Sequence, residues 1–340
     1  MVPSLRAIII SLVPAAVLLS TAAVAQTPLS LLVLMAEPLL LIAGLYGLVL
    51  AAWNRRPLWA GAIGASLVAG GFSLHEADLA TPSLRQGPEW MRQLRGCTLL
   101  AKPTTGPVRI VSWVVSDGEG ISEGVDSILD IRPDIVIVSG TQDPDLGVRL
   151  QEALNGEVKF IPEGGGLLAA VRGSFQYCGG ETDEWHLELP AGPGGVAGAV
   201  MGFPHVTDVG VVPLMIARMD TPQGPLDWAA WSQRVVDGAT QSGAAAQTIG
   251  SRKMVLMTSL GAPSSALALS SPLSAAGLTS AGIGPNWPAE IAGLPFWTQH
   301  NIDQVWTGSE WHVQSSKVLK VQGQGRSPVA LDLVPSAVSQ

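Results

Sequence analysis

The sequence predicts a membrane-anchored protein in which about three transmembrane helices precede an α/β domain with well-buried sheets. Three observations lead there. The chain is 47% hydrophobic and only 14% charged, with a mean hydropathy of +0.34, against roughly 25% charged residues in an ordinary soluble protein. The apolar excess is concentrated in residues 1–73, whose only formal charges are Arg6, Glu37, Arg55 and Arg56. From Val108 onward the pattern changes to short apolar runs separated by polar turns, with stretches of helical spacing among them. The net charge of −8 argues against a nucleic-acid partner, since affinity for phosphate backbones comes mainly from lysine and arginine. Two cysteines exclude a disulfide scaffold and a four-cysteine zinc site.

The anchor is read as spans over residues 7–25, 38–53 and 58–72. Crossing the hydrocarbon core takes about 20 apolar residues, or somewhat fewer with interfacial anchors. Trp53 and Trp59 flank the turn at Asn54, Arg55, Arg56 and Pro57, where amphipathic rings sit at headgroup depth. Glu37, beside Pro38, reads as an interfacial residue or helix cap. The positive-inside rule places Arg6 and Arg55–Arg56 in the cytoplasm, so the third span delivers the rest of the chain outward. The expectation is a bacterial inner-membrane protein with a cytoplasmic amino terminus and a periplasmic carboxy-terminal domain. Arg6, the apolar stretch and Ala23-Val24-Ala25 before Gln26 also fit a cleaved signal peptide, and that would leave two spans with the same outward domain.

Residues 74–107 read as a connector. Apolar runs at 108–115, 134–138, 158–161, 167–171, 196–201, 211–219, 254–258, 302–306, 318–321 and 329–333 read as buried strands. Helical spacing appears at 121–131 and at 228–236, where Trp228, Trp231 and Val235 share a face. Strands and helices mixed at this interval make an α/β or α+β domain over 108–333, leaving 334–340 as a weakly ordered tail. Residues 241–283 are rich in alanine, serine and glycine. Cys97 and Cys178 both lie in the outward part, where an oxidising compartment suits a disulfide; two inert buried thiols are the other reading. Redox catalysis lacks the Cys-x-x-Cys pair it would need.

The order of these segments resembles the endonuclease/exonuclease/phosphatase superfamily, and in particular its membrane-anchored bacterial members. Val108–Val115 is similar to the family's opening strand and Pro133–Val138 to its second. Gly166-Leu167-Leu168-Ala169 resembles the strand that usually reads G…LLS. Residues 254–261 stand where a GDFN strand belongs, Asn301-Ile302-Asp303-Gln304-Val305 resembles RIDHI, and Arg326-Ser327-Pro328-Val329 resembles the end of SDHRPV. The resemblance implies a four-layer sandwich, two mixed sheets flanked by helices. It also implies phosphoester hydrolysis with a divalent metal held by oxygen ligands.

Position by position, the groups that chemistry needs are missing. The asparagine of SWN falls at Val114, and the metal-binding glutamate after the second strand falls at Gly140. The histidine of THL falls at Arg218. The aspartate and asparagine of GDFN fall at Ser259 and Gly261, and the aspartate and histidine of SDH at Gly325 and Arg326. Only Asp303 is kept, in the role of a carboxylate that would orient a histidine now absent. The reading is a degenerate member with no catalytic residues, no metal and no cofactor.

Other constellations are weaker. His186, in Glu184-Trp185-His186-Leu187-Glu188, is either a metal ligand or part of an alternating strand. The glycine-rich stretches near 163–166 and 192–195 lack a phosphate-loop lysine and serine. Tryptophan outnumbers tyrosine eleven to two. Since tryptophan is frequent at interface hot spots, the apolar loop 285–297, with Trp287, Pro295, Phe296 and Trp297, is the best candidate contact surface. The expected function is a non-catalytic accessory or structural subunit of a larger membrane complex, for instance a photosynthetic or respiratory assembly, whose partners are other membrane proteins and the lipid bilayer. Two alternatives stay open. One is a metal-dependent phosphodiesterase or phosphatase with ligands relocated to Asp117, Glu119, Asp143 or Asp145. The other is a binding module for an anionic headgroup contacting Arg218 and Arg326.

Overall fold

A computed structural model describes Val49 and residues 105–336, except for 116–120, 142, 162–165, 179–184, 190–197, 220–226, 263–266, 285, 287–289, 292–293, 296–300 and 322–325. Apart from Val49, the expected spans and most of the connector therefore lie outside the described residues. Among the described residues, no helix is long and apolar enough to cross a membrane.

The domain is a sandwich of two six-stranded mixed sheets. The first sheet contains β1 (Val108–Val114), β2 (Ile135–Ser139), β3 (Glu157–Ile161) and β4 (Leu167–Val171). Its remaining strands, β16 (Trp311–Val318) and β17 (Val329–Pro335), come from the end of the chain, and the order is β16-β17-β1-β2-β4-β3. In the second sheet the order is β12-β15-β11-β10-β7-β6. These are β6 (His186–Leu189), β7 (Gly198–Gly202), β10 (Leu214–Arg218), β11 (Val255–Ser259), β12 (Thr279–Ser280) and β15 (Gln304–Thr307). A small sheet of β5 (Gly173–Phe175), β8 (Pro204–Val206) and β9 (Gly210–Val211) closes one end, and β13 (Glu290–Ile291) pairs with β14 (Leu294–Pro295). The central pairs β1–β2 and β10–β11 are parallel.

Alternation along the strands sorts side chains into three cores. Val108, Ile110, Ile135 and Ile137 meet Leu214, Ile216, Val255 and Met257 between the sheets. On the outer face of the first sheet, Val111, Trp113, Val136 and Val138 pack against α1 (Ile121–Asp130) and α2 (Pro144–Leu154). Outside the second sheet, Met215, Ala217 and Leu256 pack against α3 (Asp227–Ile249) and α4 (Leu267–Ala275). With both faces of each central strand covered, the sequence there reads as continuous apolar runs.

Several elements differ from the sequence expectation. The run at 211–219 divides at Pro213: Val211 pairs with His205 in the small sheet, whereas Leu214 pairs with Gly202 and Val255. Proline has no N–H to continue a ladder. Residues 318–321 are not a separate strand; Val318 ends β16, an edge strand in which His312, Gln314, Ser315, Ser316 and Lys317 are exposed. These polar residues, with a register shift between Val313 and Ser315, conceal the strand from an apolar-run reading and guard the edge against further pairing. The helix expected at 228–236 continues to Ile249 through alanine-rich sequence, as alanine's helix propensity favours. β17 reaches Pro335, and the Ser336 N–H donates to the Glu310 carbonyl, so the domain extends past 333.

At one end of the first sheet, Arg109 of β1 faces Asp332 of β17 across the antiparallel ladder. Its Nε donates to Oδ1 at 2.5 Å and Nη2 to Oδ2 at 3.0 Å, while Nη1 donates to the Ile131 carbonyl. The hydrogen bonds from Arg109, joined by one from Ser315, hold the Asp332 carboxyl below its ordinary value of 3.8. A carboxylate depressed on folding stabilises the native state fully above its unfolded pKa, and that contribution is lost as pH falls through the lower folded value. The stability gap between wild type and Asp332→Asn should therefore be constant near neutrality and narrow below about pH 4, as read from urea unfolding at stepped pH. A gap unchanged down to pH 2.5 would contradict this account.

Candidate functional site

The parallel strands β1, β2, β10 and β11 all finish at the same end of the sandwich. Val114 sits opposite Ser139, and Arg218 opposite Ser259. The parity that places Ile110, Ile137, Ile216 and Met257 between the sheets also directs Val114, Ser139, Arg218 and Ser259 to that inner side. Loops complete the rim: Gly140 N–H donates to the Gly166 carbonyl at 2.8 Å, and Met219 N–H to the Ser259 carbonyl at 3.0 Å. Asp303 directly precedes β15, whose Gln304 pairs with Thr258. Arg326 lies just before β17, which runs antiparallel to β1. Six of the eight positions singled out in the sequence thus meet at this end. Gly261 follows β11 there in a left-handed conformation, φ 70°, and Gly325 lies outside the described residues.

The centre of the site is a closed polar network. Arg326 Nη1 donates to Asp303 Oδ1 at 2.9 Å and to Ser259 Oγ at 2.8 Å, and Ser259 Oγ donates to the same Oδ1 at 2.7 Å. Asn286 Nδ2 donates to Asp303 Oδ2 at 2.8 Å, while its Oδ1 accepts from the Ile302 N–H at 3.0 Å. The Asp303 and Arg326 side chains are 5% and 15% exposed, so this ion pair is shielded from water and salt. Trp113, fully buried over the Cβ-less Gly124, donates its indole N–H to the Arg326 carbonyl at 3.2 Å.

The second arginine takes another part of the rim. Arg218 Nη1 is 3.4 Å from the Gly166 carbonyl, and Nη2 lies 3.3 Å from where a Gly140 Cβ would project. Gly140 has φ 90°, and that Cβ would be 2.3 Å from the Val115 carbonyl oxygen. An L side chain at φ > 0 is strained, and here it also collides with backbone. The backbone at 140 is shaped for glycine.

Other sequence candidates are placed as follows. Asp143 caps α2, its Oδ1 accepting from the Asp145 N–H at 3.0 Å; α2, with its Asp-Pro start and Asn155-Gly156 stop, is a helix that the apolar-run pattern does not mark. Asp145 is an exposed first-turn residue of the same helix, and Asp117 and Glu119 lie outside the described residues. His186 opens β6, in keeping with the alternating-strand reading. Trp185, Trp306 and Trp311 are buried core residues. In the loop 285–297, Trp287, Phe296 and Trp297 lie outside the described residues and Pro295 belongs to β14. Asn286 of that loop is fully buried on Asp303, a role sequence reasoning missed; its one signal is an amide within an apolar, proline-rich stretch. Cys178 is disulfide-bonded, and the only other cysteine in the sequence, Cys97, lies outside the described residues.

The crystal structure of an endonuclease/exonuclease/phosphatase family protein from Bacteroides thetaiotaomicron matches over 70% of this chain and 100% of its own, with a TM-score of 0.50 at 15% identity. The fold is that of the endonuclease/exonuclease/phosphatase proteins. A protein of this group from Beutenbergia cavernae matches with a TM-score of 0.49 at 17% identity, over 68% of this chain and 72% of that one. A mannosyl-6-phosphatase from Bacteroides thetaiotaomicron matches with a TM-score of 0.47 at 14% identity, over 67% and 99%. No protein-family model matches the chain, and no curated protein does.

A divalent metal suits this fold only where several oxygen donors converge. Here both oxygens of Asp303 are already engaged by Arg326, Ser259 and Asn286. Among the described residues no three His, Cys, Asp or Glu side chains are grouped to hold a metal ion. The described residues of the cleft do not fit the cation.

Proposed function

We propose that this chain is a non-catalytic accessory subunit of a larger membrane protein complex, with an endonuclease/exonuclease/phosphatase-like domain on the periplasmic face. One observation carries the non-catalytic part: the guanidinium of Arg326 lies on the single retained carboxylate, Asp303. Replacing neutral or anionic ligands with arginine puts positive charge where a cation would have to sit. Fold alone does not imply activity, and the retained core supplies a stable body for contacts. The anchoring part rests on the apolar first 73 residues.

Gentle detergent extraction followed by native mass determination tests the subunit reading. Stoichiometric co-purifying membrane proteins are expected, and a lone monomer would sink it. Incubation of the purified chain with Mg²⁺ or Mn²⁺ and a panel of phosphomonoesters and phosphodiesters is expected to give no turnover above the metal-only blank; metal-dependent turnover would establish the hydrolase alternative. Restoring an acid by Gly140→Glu should not create activity. It should instead destabilise the domain by about 1–3 kcal/mol, through φ strain and the clash with Val115, measured by thermal unfolding.

A further inference from the structure

The chain that precedes β1 meets the sandwich at Thr105, and Cys178 offers a second point of attachment. Thr105 N–H donates to the Val209 carbonyl at 3.0 Å, so the chain enters beside the β8–β9 turn. Cys178 follows β5, which pairs with β8 through Gly173–Val206 and Phe175–Pro204. Its disulfide can be intramolecular only with Cys97, the one other cysteine. Thr105 and Cys178 both lie at the small three-stranded sheet.

That sheet lies at the pole opposite the arginine-filled cleft. β1 enters at Val108 from this pole and ends at Val114 on the cleft. β4 runs down from Leu167, next to the rim residue Gly166, to Val171, and then leads into β5. In the second sheet, Gly202 and Leu214 pair at the small-sheet end, and Gly198 and Arg218 at the cleft end. A seven-residue strand separates the poles by about 20 Å. The tied pole also exposes Tyr177, with Lys159 Nζ 5.7 Å from its ring centroid; tyrosine is a residue type that settles at headgroup depth.

We infer that the β5–β8–β9 pole is the surface that rests on the lipid bilayer, so that the cleft opens away from the membrane carrying the anchor. The inference builds on the membrane-anchored reading above and adds an orientation to it. An anionic headgroup of the same bilayer would then be out of reach of Arg218 and Arg326, and whatever meets the cleft does so from the aqueous side.

Photo-crosslinking on the full-length chain tests this. Benzoylphenylalanine replaces exposed Ser174 or Asp208 at the tied pole, and exposed Glu123 or Gly198 at the cleft end; a Gly198 side chain has open space. The protein is reconstituted into phosphatidylcholine–phosphatidylglycerol vesicles containing a radiolabelled phospholipid. Lipid adducts several-fold stronger at 174 and 208 than at 123 and 198 are expected. Adducts equal at both poles, or stronger at the cleft end, would overturn the orientation while leaving the anchor intact. Protein that stays in the supernatant when vesicles are sedimented would overturn both readings.

Discussion

Replacing Cys178 with alanine is expected to cost about 2–5 kcal/mol of unfolding free energy, because the disulfide removes conformational freedom chiefly from the unfolded chain. A bond between Cys97 and Cys178 would close a loop of about 80 residues, for which the chain-entropy model gives roughly 4.5 kcal/mol. In a domain of this size that loss lowers the melting temperature by roughly 5–20 °C. Cys178 also packs against the outer core of the second sheet, which is why alanine is preferred to serine as the replacement. Cys97→Ala, Cys178→Ala and the double variant should lose the same amount, since each removes the same bond once. Wild type under dithiothreitol should match them. Scanning calorimetry in oxidising buffer decides: if Cys97→Ala melts like wild type, the pairing is wrong.

The second large effect concerns the cleft network. Asp303→Ala leaves the Arg326 guanidinium buried beside Ser259 without its counter-ion, and breaking one side of a buried pair typically costs about 3–5 kcal/mol. Arg326→Met strands the carboxylate in turn, although Ser259 and Asn286 still donate to it. The double variant should cost clearly less than the sum, because two buried charges are removed together. A denaturant-unfolding cycle with unchanged m-values measures the coupling. Additivity within about 0.5 kcal/mol would mean that the two residues act independently and that the network is not a unit. The same cycle bears on the functional proposal, which treats these residues as structural.

Much of the architecture is legible in the residues. The apolar runs at 108–115, 134–138 and 167–171 mark central strands of the first sheet because helices and the second sheet cover both their faces. The departures have specific causes. β16 is half polar because it is an edge strand, so a search for apolar runs finds only its end. Pro213 lies inside an apolar run and splits it between two sheets, a boundary marked by proline's missing N–H. α2 carries its own start and stop signals at Asp143-Pro144 and Asn155-Gly156, and they are legible once the acids are read as caps.

The sequence by itself determined which chemical groups stand at the positions that the family resemblance aligns with catalytic ones: Val114, Gly140, Arg218, Ser259, Gly261, Asp303, Gly325 and Arg326. Local order and spacing suffice for that, since each position is defined along its own strand or loop. Only the tertiary structure decided how the groups are used. Asp303 and Arg326 are 23 residues apart and Ser259 is 44 from Asp303, and no local pattern shows that they meet in one shielded network. Asn286 joins them from 17 residues before Asp303, and Gly140 is fixed as glycine by the Val115 carbonyl. Strand pairing and burial are long-range events, and they turn an isolated aspartate into the centre of a closed ion pair.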